Sequence, residues 1–518
     1  MRRMPHPLHS VPRPLPRPVV RRLPDGFGAR LSDRARVRDE GRTLVGGTAG
    51  SVLFLAPEAT AVVAGLPARV GDGPLVGRVA RLLLDRGFAD PWWPDPATAD
   101  AEVADVTVVV PVQDRPHTLD RLLAALPTGV PVVVVDDGSA DPEAVAEVAD
   151  RHQARLVAHR RNLGPAAARN TGLRRVDTTF VAFCDSDVVP EPGWLGTLRR
   201  HLDDPALGAV APRILGSVPR DDDGWLERYE QARSSLDLGV RPAAVRVHGA
   251  VSYLPSACLL ARVDALGDGF DERMRVGEDV DLVWRLLEAG WGVRYEPAAT
   301  VRHQHRTHLG AWLRRRAFYG TSAAALAARH EDAVSPMVLT PWTTLISVAL
   351  LAQRRWSLPV AVGALGVATG VTAARLERSE RPWRVAAGLT LEGAVASIWQ
   401  TGAALTRHHW PLALAACYGS ARARRAVLVA AVGDGLADHR RTAPRLDPVG
   451  YVVVRRLDDL AYGSGVWWGV VRARSPRALL PRLQGFPSLG RTGRVSRHSL
   501  HDVDPSASVA VSALPRER

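Results

Sequence analysis

Hydrophobic and polar positions change rhythm twice along this chain. Between Asp105 and Asp187 the apolar residues come in short unbroken runs, "DVTVVVPV", "VPVVVVDDGS", "ARLVAH" and "TTFVAFCDSD". Runs of this length, rich in β-branched residues, predict strands buried on both faces. Between them, "TLDRLLAAL", "DPEAVAEVADRH" and "GPAAARNTGLRR" read as helices, with Asp141 as a predicted N-cap and Pro142 in the first turn. The alternation predicts a mostly parallel α/β sheet. Ligands of such sheets bind at the carboxyl ends of strands. Asp136, Asp137, Asp185 and Asp187 all fall there, so the two acidic clusters are expected to face one crevice.

The stretch before this reads differently. "RTLVGGTAGSVLFLAPEATAVVAGL" predicts two short strands around a Gly-Gly turn and a helix from Pro57, and "GPLVGRVARLLLDRGF" predicts an amphipathic helix. Residues 26–97 thus form a small winged-helix-like α+β unit, closed by the linker-like "DPWWPDPATAD". Residues 1–25, basic and Pro-rich without an apolar h-region, read as a disordered arm rather than a secretory signal. After His330 the pattern changes again. Residues 337–483 are strongly apolar and punctuated by Arg354, Arg355, Arg375, Arg378, Arg381 and Arg422–Arg425. The runs Val338–Ala352 and Leu358–Ala374 fall short of the ~20 apolar residues that span a bilayer, and Val385–Leu405 contains Glu392 and Gln400. Short spans, in-plane amphipathic helices and a soluble helical subdomain all fit, and membrane association with the active site on the cytoplasmic side is the expectation. Residues 484–518 read as a disordered tail.

Composition narrows the function classes. The 518 residues carry a net charge of +13, and every basic residue other than histidine is arginine. The arginines are scattered, with no basic run interleaved with aromatics and no zinc-finger spacing, so nucleic acid is not the expected partner. An anionic membrane or a phosphate-bearing substrate accounts for the charge. Three cysteines, Cys184, Cys258 and Cys417, argue against a disulfide framework and for a reducing compartment.

The chemistry concentrates in a few places. No G-x-G-x-x-G follows the first central strand; "PVQDRPHTL" stands there, so a diphosphate must be neutralised otherwise, and a divalent cation is the obvious means. Asp185-Ser186-Asp187 ends a buried strand, where carboxylates fit a cation site better than an exposed turn. Asp136-Asp137-Gly138-Ser139 reads either as a nucleotide contact or as a capped D-G turn. Gly164-Pro165 opens a helix bearing Arg169 and Asn170. In "VGEDVDLVWRLLEAGW", Glu278 and Asp279 occupy a first helical turn, where the macrodipole favours an ionised carboxylate; that suits Asp279 as a general base. In "VRHQHRTH", a three-histidine zinc site is disfavoured and a single imidazole as an added metal ligand is favoured. Arg315, Arg316 and Tyr319 in "RRRAFYGTS" offer phosphate contacts or a solvated helix face.

Taken in order, "VVVPVQDR", "VVVVDDGSADP", "NLGPAAARNTGL", "AFCDSDV" and "VGEDVDLVWRLLEAG" resemble an inverting family 2 glycosyltransferase of the GT-A fold from about Asp105 to Gly320, and the expected GT-A domain is residues 105–330. "YEQARSSLDLGVRPA", "LPSACLLARVDAL", "RRAFYGTSAAALAARH" and "RRLDDLAYGSGVWWGV" extend the likeness to the mycofactocin-system glycosyltransferases of actinobacteria. The resemblance implies a nucleotide-sugar site from Pro111, Asp114, Arg115, Asp136, Asp137, Arg169 and Asp185, with Asp137 on uracil and Arg169 near the diphosphate. It implies Mg or Mn on Asp187 and Asp185 with His303 nearby, and Asp279, beside Glu278, as the base. It further implies UDP-glucose as donor, a peptide-derived small-molecule acceptor, a short β-1,4-glucan product, and a peptide-binding-like N-terminal unit. The arginine-rich "RRRAFYG" stands where processive relatives carry Q-x-x-R-W, which speaks against long-chain processivity. Two other readings are a membrane enzyme extending a lipid-linked or cell-wall glycan, and a non-catalytic peptide- or nucleotide-binding adaptor. The intact acidic pairs disfavour the adaptor.

Overall fold

The computed structural model describes residues 14–47, 50–94, 103–304, 308–331 and 333–485. The small N-terminal domain comprises strands β1 (Gly28–Leu31), β2 (Ala35–Arg38), β3 (Thr43–Gly46) and β4 (Ser51–Phe54), helix α1 (Pro57–Ala64), β5 (Ala68–Arg69), helix α2 (Val76–Arg86) and β6 (Ala89–Trp92). The predicted hairpin β3–β4 and both predicted helices are present. β2-β3-β4 and β5-β1-β6 are two three-stranded antiparallel sheets, so the domain has more strand than its sequence pattern indicates. α2 buries Val79, Ala80, Leu83 and Leu84 against Leu44, Leu53 and Phe88, and Gly87 ends it in the left-handed region that glycine adopts without strain.

Two expectations are corrected here. Residues 90–92 of the expected linker are strand, part of β6 (Ala89–Trp92), which pairs along its length with β1; residues 95–100 of that linker lie outside the described residues. Residues 14–25 of the expected disordered arm are an extended, anchored segment. Leu15 joins the transferase core, Leu23 joins the small domain's core, and Trp291 donates its indole N–H to the Pro16 carbonyl at 2.7 Å. A Pro-rich strand is already extended, so seating two leucines costs little chain entropy. Residues 1–13 and nearly all of the expected tail, from residue 486, lie outside the described residues.

The central domain carries β7 (Val106–Val112), α3 (Pro116–Ala124), β8 (Val132–Asp136), α4 (Pro142–Arg151), β9 (Arg155–Ala158), α5 (Pro165–Leu173), β10 (Phe180–Cys184), β11 (Val188–Pro190) and α6 (Trp194–Arg199). It continues with β12 (Leu207–Gly216), α7 (Trp225–Arg233), β13 (Ala243–Ala244), β14 (Cys258–Arg262), α8 (Val263–Leu266), α9 (Glu278–Glu288) and β15 (Gly292–His303). One sheet has the order β11-β15-β12-β14-β10-β7-β8-β9, with β13 beside β15. β10, β7, β8 and β9 run parallel, and β14 joins β10 antiparallel, giving the mixed α/β sheet of a GT-A fold. The apolar runs are continuous because both faces are covered: Val109, Val133, Val181 and Phe183 face one core, Val108, Val110, Val134 and Ala182 the other. Asp141 caps α4 as expected, accepting from the Ala144 N–H. The register pairs Cys184 with Cys258, whose Sγ atoms lie 3.8 Å apart as buried thiols.

The chain then becomes helical: α10 (Leu309–Gly320), α11 (Ser322–Arg329), α12 (Pro341–Ala352), α13 (Ser357–Arg375), α14 (Pro382–Ala403), a π-turn (Ala404–His408), α15 (Trp410–Gly419), α16 (Ala421–Thr442) and α17 (Pro448–Ala473). α17 lies against α10 and the π-turn through glycines. A Cβ at Gly463 would stand 1.9 Å from the Arg407 carbonyl oxygen, and one at Gly465 1.8 Å from that of Ala317. This is the physical content of "AYGSGVWWG". α13 alone among the described helices is long and apolar enough to cross a membrane, with a mean hydropathy of 1.6.

The small domain is wedged between the other two parts. Arg81 grips Asp204 (2.6 and 2.8 Å), and Arg294 pairs with Asp90. On its other side Val52 and Phe54 pack on Ala373, Leu376 and Ala386, Arg36 pairs with Glu392 (2.7 Å), and Arg42 pairs with Glu380.

Candidate active site

A cavity of about 1400 Å³ opens at the carboxyl ends of β7, β8 and β10 and reaches the C-terminal helices. Pro111, Arg115, Asp137, Arg169, Asp185, Asp187, Glu278, Asp279 and His303 all line it. Nine of the eleven residues expected at the nucleotide-sugar, metal and base positions thus line one cavity.

The β10 end is held by cations. Asp187 binds Arg115 (2.5 Å), and its other oxygen lies 3.4 Å from His303 Nε2. His303 reaches it because the β11–β15 register sets His303 opposite Val188, one residue on. His305 lies outside the described residues and His308 is exposed at the start of α10, so of the two described histidines of the run His303 joins the site. Asp185 binds Arg169 Nη2 at 2.6 Å, while Arg169 Nη1 binds Glu278 at 2.9 Å. Arg169 is 3% exposed. Buried between two carboxylates, it holds its proton more tightly than usual, and it ties the strand-end acids to the start of α9.

Asp279 is the carboxylate that no side chain neutralises directly. Its oxygens accept from the backbone N–H groups of Ser256 (3.2 Å) and Val280 (2.8 Å). Burial, and then the charge of Glu278, push its carboxyl up to about 6. Burial thus works against the helix start, which was expected to favour the ionised form. At neutral pH the group is still ionised and is the stronger base for it.

Two expected donor contacts are corrected. Asp136 is 1% exposed and lies off the cavity; it accepts from Ser139 N (3.0 Å) and Ser139 Oγ (2.5 Å), closing the D-G-S turn. Asp114 also lies off the cavity wall, where it accepts from Ala140 N (2.7 Å) and clasps two loops. Asp137 does line the cavity, yet its oxygens accept from Leu163 N, Gly164 N and His159, so it shapes the loop that opens α5.

Sequence reading missed the supports. Asp281, fully buried, gathers Arg285 (2.8 Å), Arg329 (3.0 Å) and His330 (3.1 Å), which fixes α9 and hence Asp279. An acid two residues beyond the pair, on the buried face of an apolar helix, was the available signal. Of the remaining lining, Tyr319 was singled out in the sequence as a candidate phosphate contact, whereas Tyr253, Arg407, His408 and Tyr462 were missed because they are scattered along the chain.

Among the described residues no group of three His, Cys, Asp or Glu side chains converges on one point. Asp187 and His303 nevertheless make a pair of hard and borderline donors at a strand end. That fits a divalent cation that brings most of its own ligands, as water and diphosphate oxygens.

Residues 107–269 match the Glycosyl transferase family 2 model. The chain is 44% identical over 479 residues to "Pre-mycofactocin glycosyltransferase" of Mycobacterium tuberculosis, covering 89% of this chain and 99% of that protein. It is 31% identical over 256 residues to an N-acetylglucosaminyl-diphospho-decaprenol L-rhamnosyltransferase of the same species, covering 40% of this chain and 78% of that one. A solved mannosyltransferase from Pyrobaculum calidifontis, in complex with GDP-Man and Mn²⁺, aligns at 23% identity over 57% of this chain and 86% of its own, with a TM-score of 0.33.

Proposed function

This chain belongs to glycosyl transferase family 2, and on that premise we propose that it transfers glucose from UDP-glucose to a pre-mycofactocin acceptor, with inversion, building a short β-1,4-glucan. The observation that carries the mechanism is the meeting of Asp279 with Asp185 and Asp187 in one cavity, tied through Arg169 and Glu278. The extensive likeness to the pre-mycofactocin enzyme supports the acceptor.

Asp279 takes the proton from the acceptor hydroxyl. That oxygen attacks the anomeric carbon from the face opposite the diphosphate, the bond to the diphosphate oxygen breaks, and the sugar inverts. Arg169 keeps Asp185 and Glu278 in register; Arg115 holds Asp187. A Mg or Mn ion on Asp187 and His303, beside Asp185, supplies electrostatic stabilisation of the departing nucleoside diphosphate when bound.

The test incubates the purified full chain with UDP-glucose, Mn²⁺ or Mg²⁺ and the tyrosine-derived precursor, and reads added hexoses by mass spectrometry. A hexose ladder absent from Asp187→Ala and Asp279→Asn is the expected outcome. UDP release without a ladder removes the acceptor and keeps the transferase.

A membrane surface is the second partner proposed, on one specific observation. On α13 the buried side chains are Ser357 and alanines, whereas Leu358, Val362, Val367 and Val371 are 51–69% exposed. On α14 Ala386, Thr390, Ala394 and Ser397 are buried, and Leu391, Val395, Ile398 and Trp399 are exposed. Small residues between helices and large apolar ones outside are the lipid-facing arrangement. The tip of the α13–α14 hairpin is clasped by the small domain, which is itself locked to the transferase domain. A hairpin held this way supports contact along a bilayer surface rather than a span through it, and the cytoplasmic face is part of this proposal. Preference for a polyprenyl-linked acceptor over the small precursor would select the lipid-linked-glycan reading.

A further inference from the structure

The donor half of the cavity is built by strand ends of the transferase domain. Other lining comes from outside those strand ends. Tyr253, Tyr319 and Tyr462 belong to it, three of only seven tyrosines in the chain. Arg407 and His408 face the same space from the π-turn Ala404–His408. Such turns inside helices recur at functional sites because they re-aim side chains at a cost in hydrogen bonding. Here the turn is held in place from behind. The Gly463 backbone abuts the Arg407 carbonyl, where any Cβ would collide, and the Trp467 indole N–H donates to the His408 carbonyl at 2.8 Å. Both side chains are thereby left to the cavity.

Their chemistry is specific. The Arg407 guanidinium lies 3.9 Å from the centre of the Tyr462 ring, with one N–H on Asp459 at 3.1 Å. Arg315 likewise covers Tyr319, 4.8 Å from its ring centre. The Nδ1 atom of His408 is buried without a hydrogen-bond partner among the described residues. Burial and adjacent Arg407 push this imidazole down to about 3, so it is neutral in the cell and offers one donor and one acceptor.

We infer that the π-turn and the three tyrosines form the acceptor half of the site, holding a hydroxyl-bearing ring compound whose carbonyl or carboxylate oxygen meets Arg407 and His408. The ring packs on the tyrosines, and its hydroxyl is presented to Asp279 across the cavity. The inference rests on the transferase reading above and adds to it the residues and chemistry that select the acceptor.

The test uses the full chain and the variants Arg407→Gln and His408→Ala. Asp459 keeps Arg455 (3.0 Å) and Arg456 (3.1 Å) when Arg407 is changed, so both variants are expected to fold; a thermal melt checks this. Acceptor KM for the tyrosine-derived precursor should rise at least tenfold in each, while KM for UDP-glucose and the calorimetric affinity for UDP stay within twofold. Saturation-transfer NMR of the precursor on the full chain, without donor, should show a signal in wild type that both variants lose. An unmoved acceptor KM, an unchanged NMR signal, a donor KM rising in step, or a wild-type protein that does not bind the precursor overturns the inference. Wild type that neither transfers hexose nor releases UDP overturns the transferase reading itself, a result separate from the variants' behaviour.

Discussion

The transferase domain and the α12–α15 helices solve the packing problem in opposite ways. Around β10 the large apolar side chains are inside: Phe183, Val181 and Leu260 are fully buried. In α13 and α14 the buried side chains are all alanine, serine or threonine, and Leu358, Val367, Trp383 and Trp399 face out at 44–69% exposed. A water-solvated domain gains about 25 cal/mol for each Å² of apolar surface it hides. Helices that turn that surface outward forgo the gain unless their solvent is itself apolar. Under the proposed membrane contact the exposed faces of α13 and α14 are the surface-seeking part, and the small domain clamps them to the transferase domain.

The sharpest way to break that division is to remove the base. Asp279→Asn should lower kcat about 10²–10⁴-fold, the range of general-base catalysis, and leave vesicle binding untouched. Stability should move the other way. The folded pKa of Asp279 is raised above its unfolded value, so the group favours folding below about pH 4 and loses that contribution as pH rises through about 6. At pH 7.5 the Asn variant should melt higher than wild type, as calorimetry would show. Lost turnover with lost stability would mean that Asp279 is a structural residue.

Next in size is a matched pair of substitutions. Val181→Asp puts a charge into a fully buried strand and should cost roughly 3–5 kcal/mol, enough to abolish a cooperative melt. Val367→Asp, at a position 69% exposed, should leave the melt intact and strip the protein from liposomes in a flotation assay. Equal destabilisation by the two would erase the contrast. Retained flotation in Val367→Asp would remove α13 from the lipid contact.

The sequence was legible where one physical cause dominated. Every strand and helix from Val106 to Cys184 stands where the apolar runs put it, because burial on both faces leaves one period and one reading. The acids at strand ends were legible for the same reason: a carboxylate after a buried run is costly without a partner. Which partner was not legible. Nothing local separates Asp137, on the cavity, from Asp136, turned away to hold Ser139; strand alternation decides it. Residues 14–25 look disordered by composition and are anchored by two leucines. The acceptor wall joins Tyr253, Tyr319, the π-turn and Tyr462 across some two hundred positions of sequence, and only the glycine-mediated contact of α17 assembles it.

A smaller effect sharpens the chemical half. With the Asp279 carboxyl pushed up to about 6, kcat/KM should fall on an acid limb centred near pH 6, about tenfold for each pH unit below it. Glu278 contributes to that elevation, so Glu278→Gln should move the limb to lower pH. It also deprives Arg169 of an ionic partner, so a lower maximal rate is expected with the shift. An acid limb fixed in Glu278→Gln would assign it to another group, such as the acceptor.

The smallest effect tests the other half, the exposed arginines Arg378 and Arg381 in the turn between α13 and α14. If the apolar faces lie on a bilayer, arginines beside them meet its headgroups. Each arginine near an anionic surface contributes about 1 kcal/mol, so Arg378→Gln and Arg381→Gln should each weaken partition onto anionic vesicles about fivefold. The loss should vanish on neutral vesicles, where only apolar burial acts, and at 1 M salt, where the screening length falls to about 3 Å. Binding that follows charge alone, disappearing on neutral vesicles in wild type as well, would make the arginines the anchor and leave the exposed leucines and valines of α13 and α14 without a partner. Binding that survives both changes and is lost in Val367→Asp would make the apolar face the anchor and the arginines its orientation.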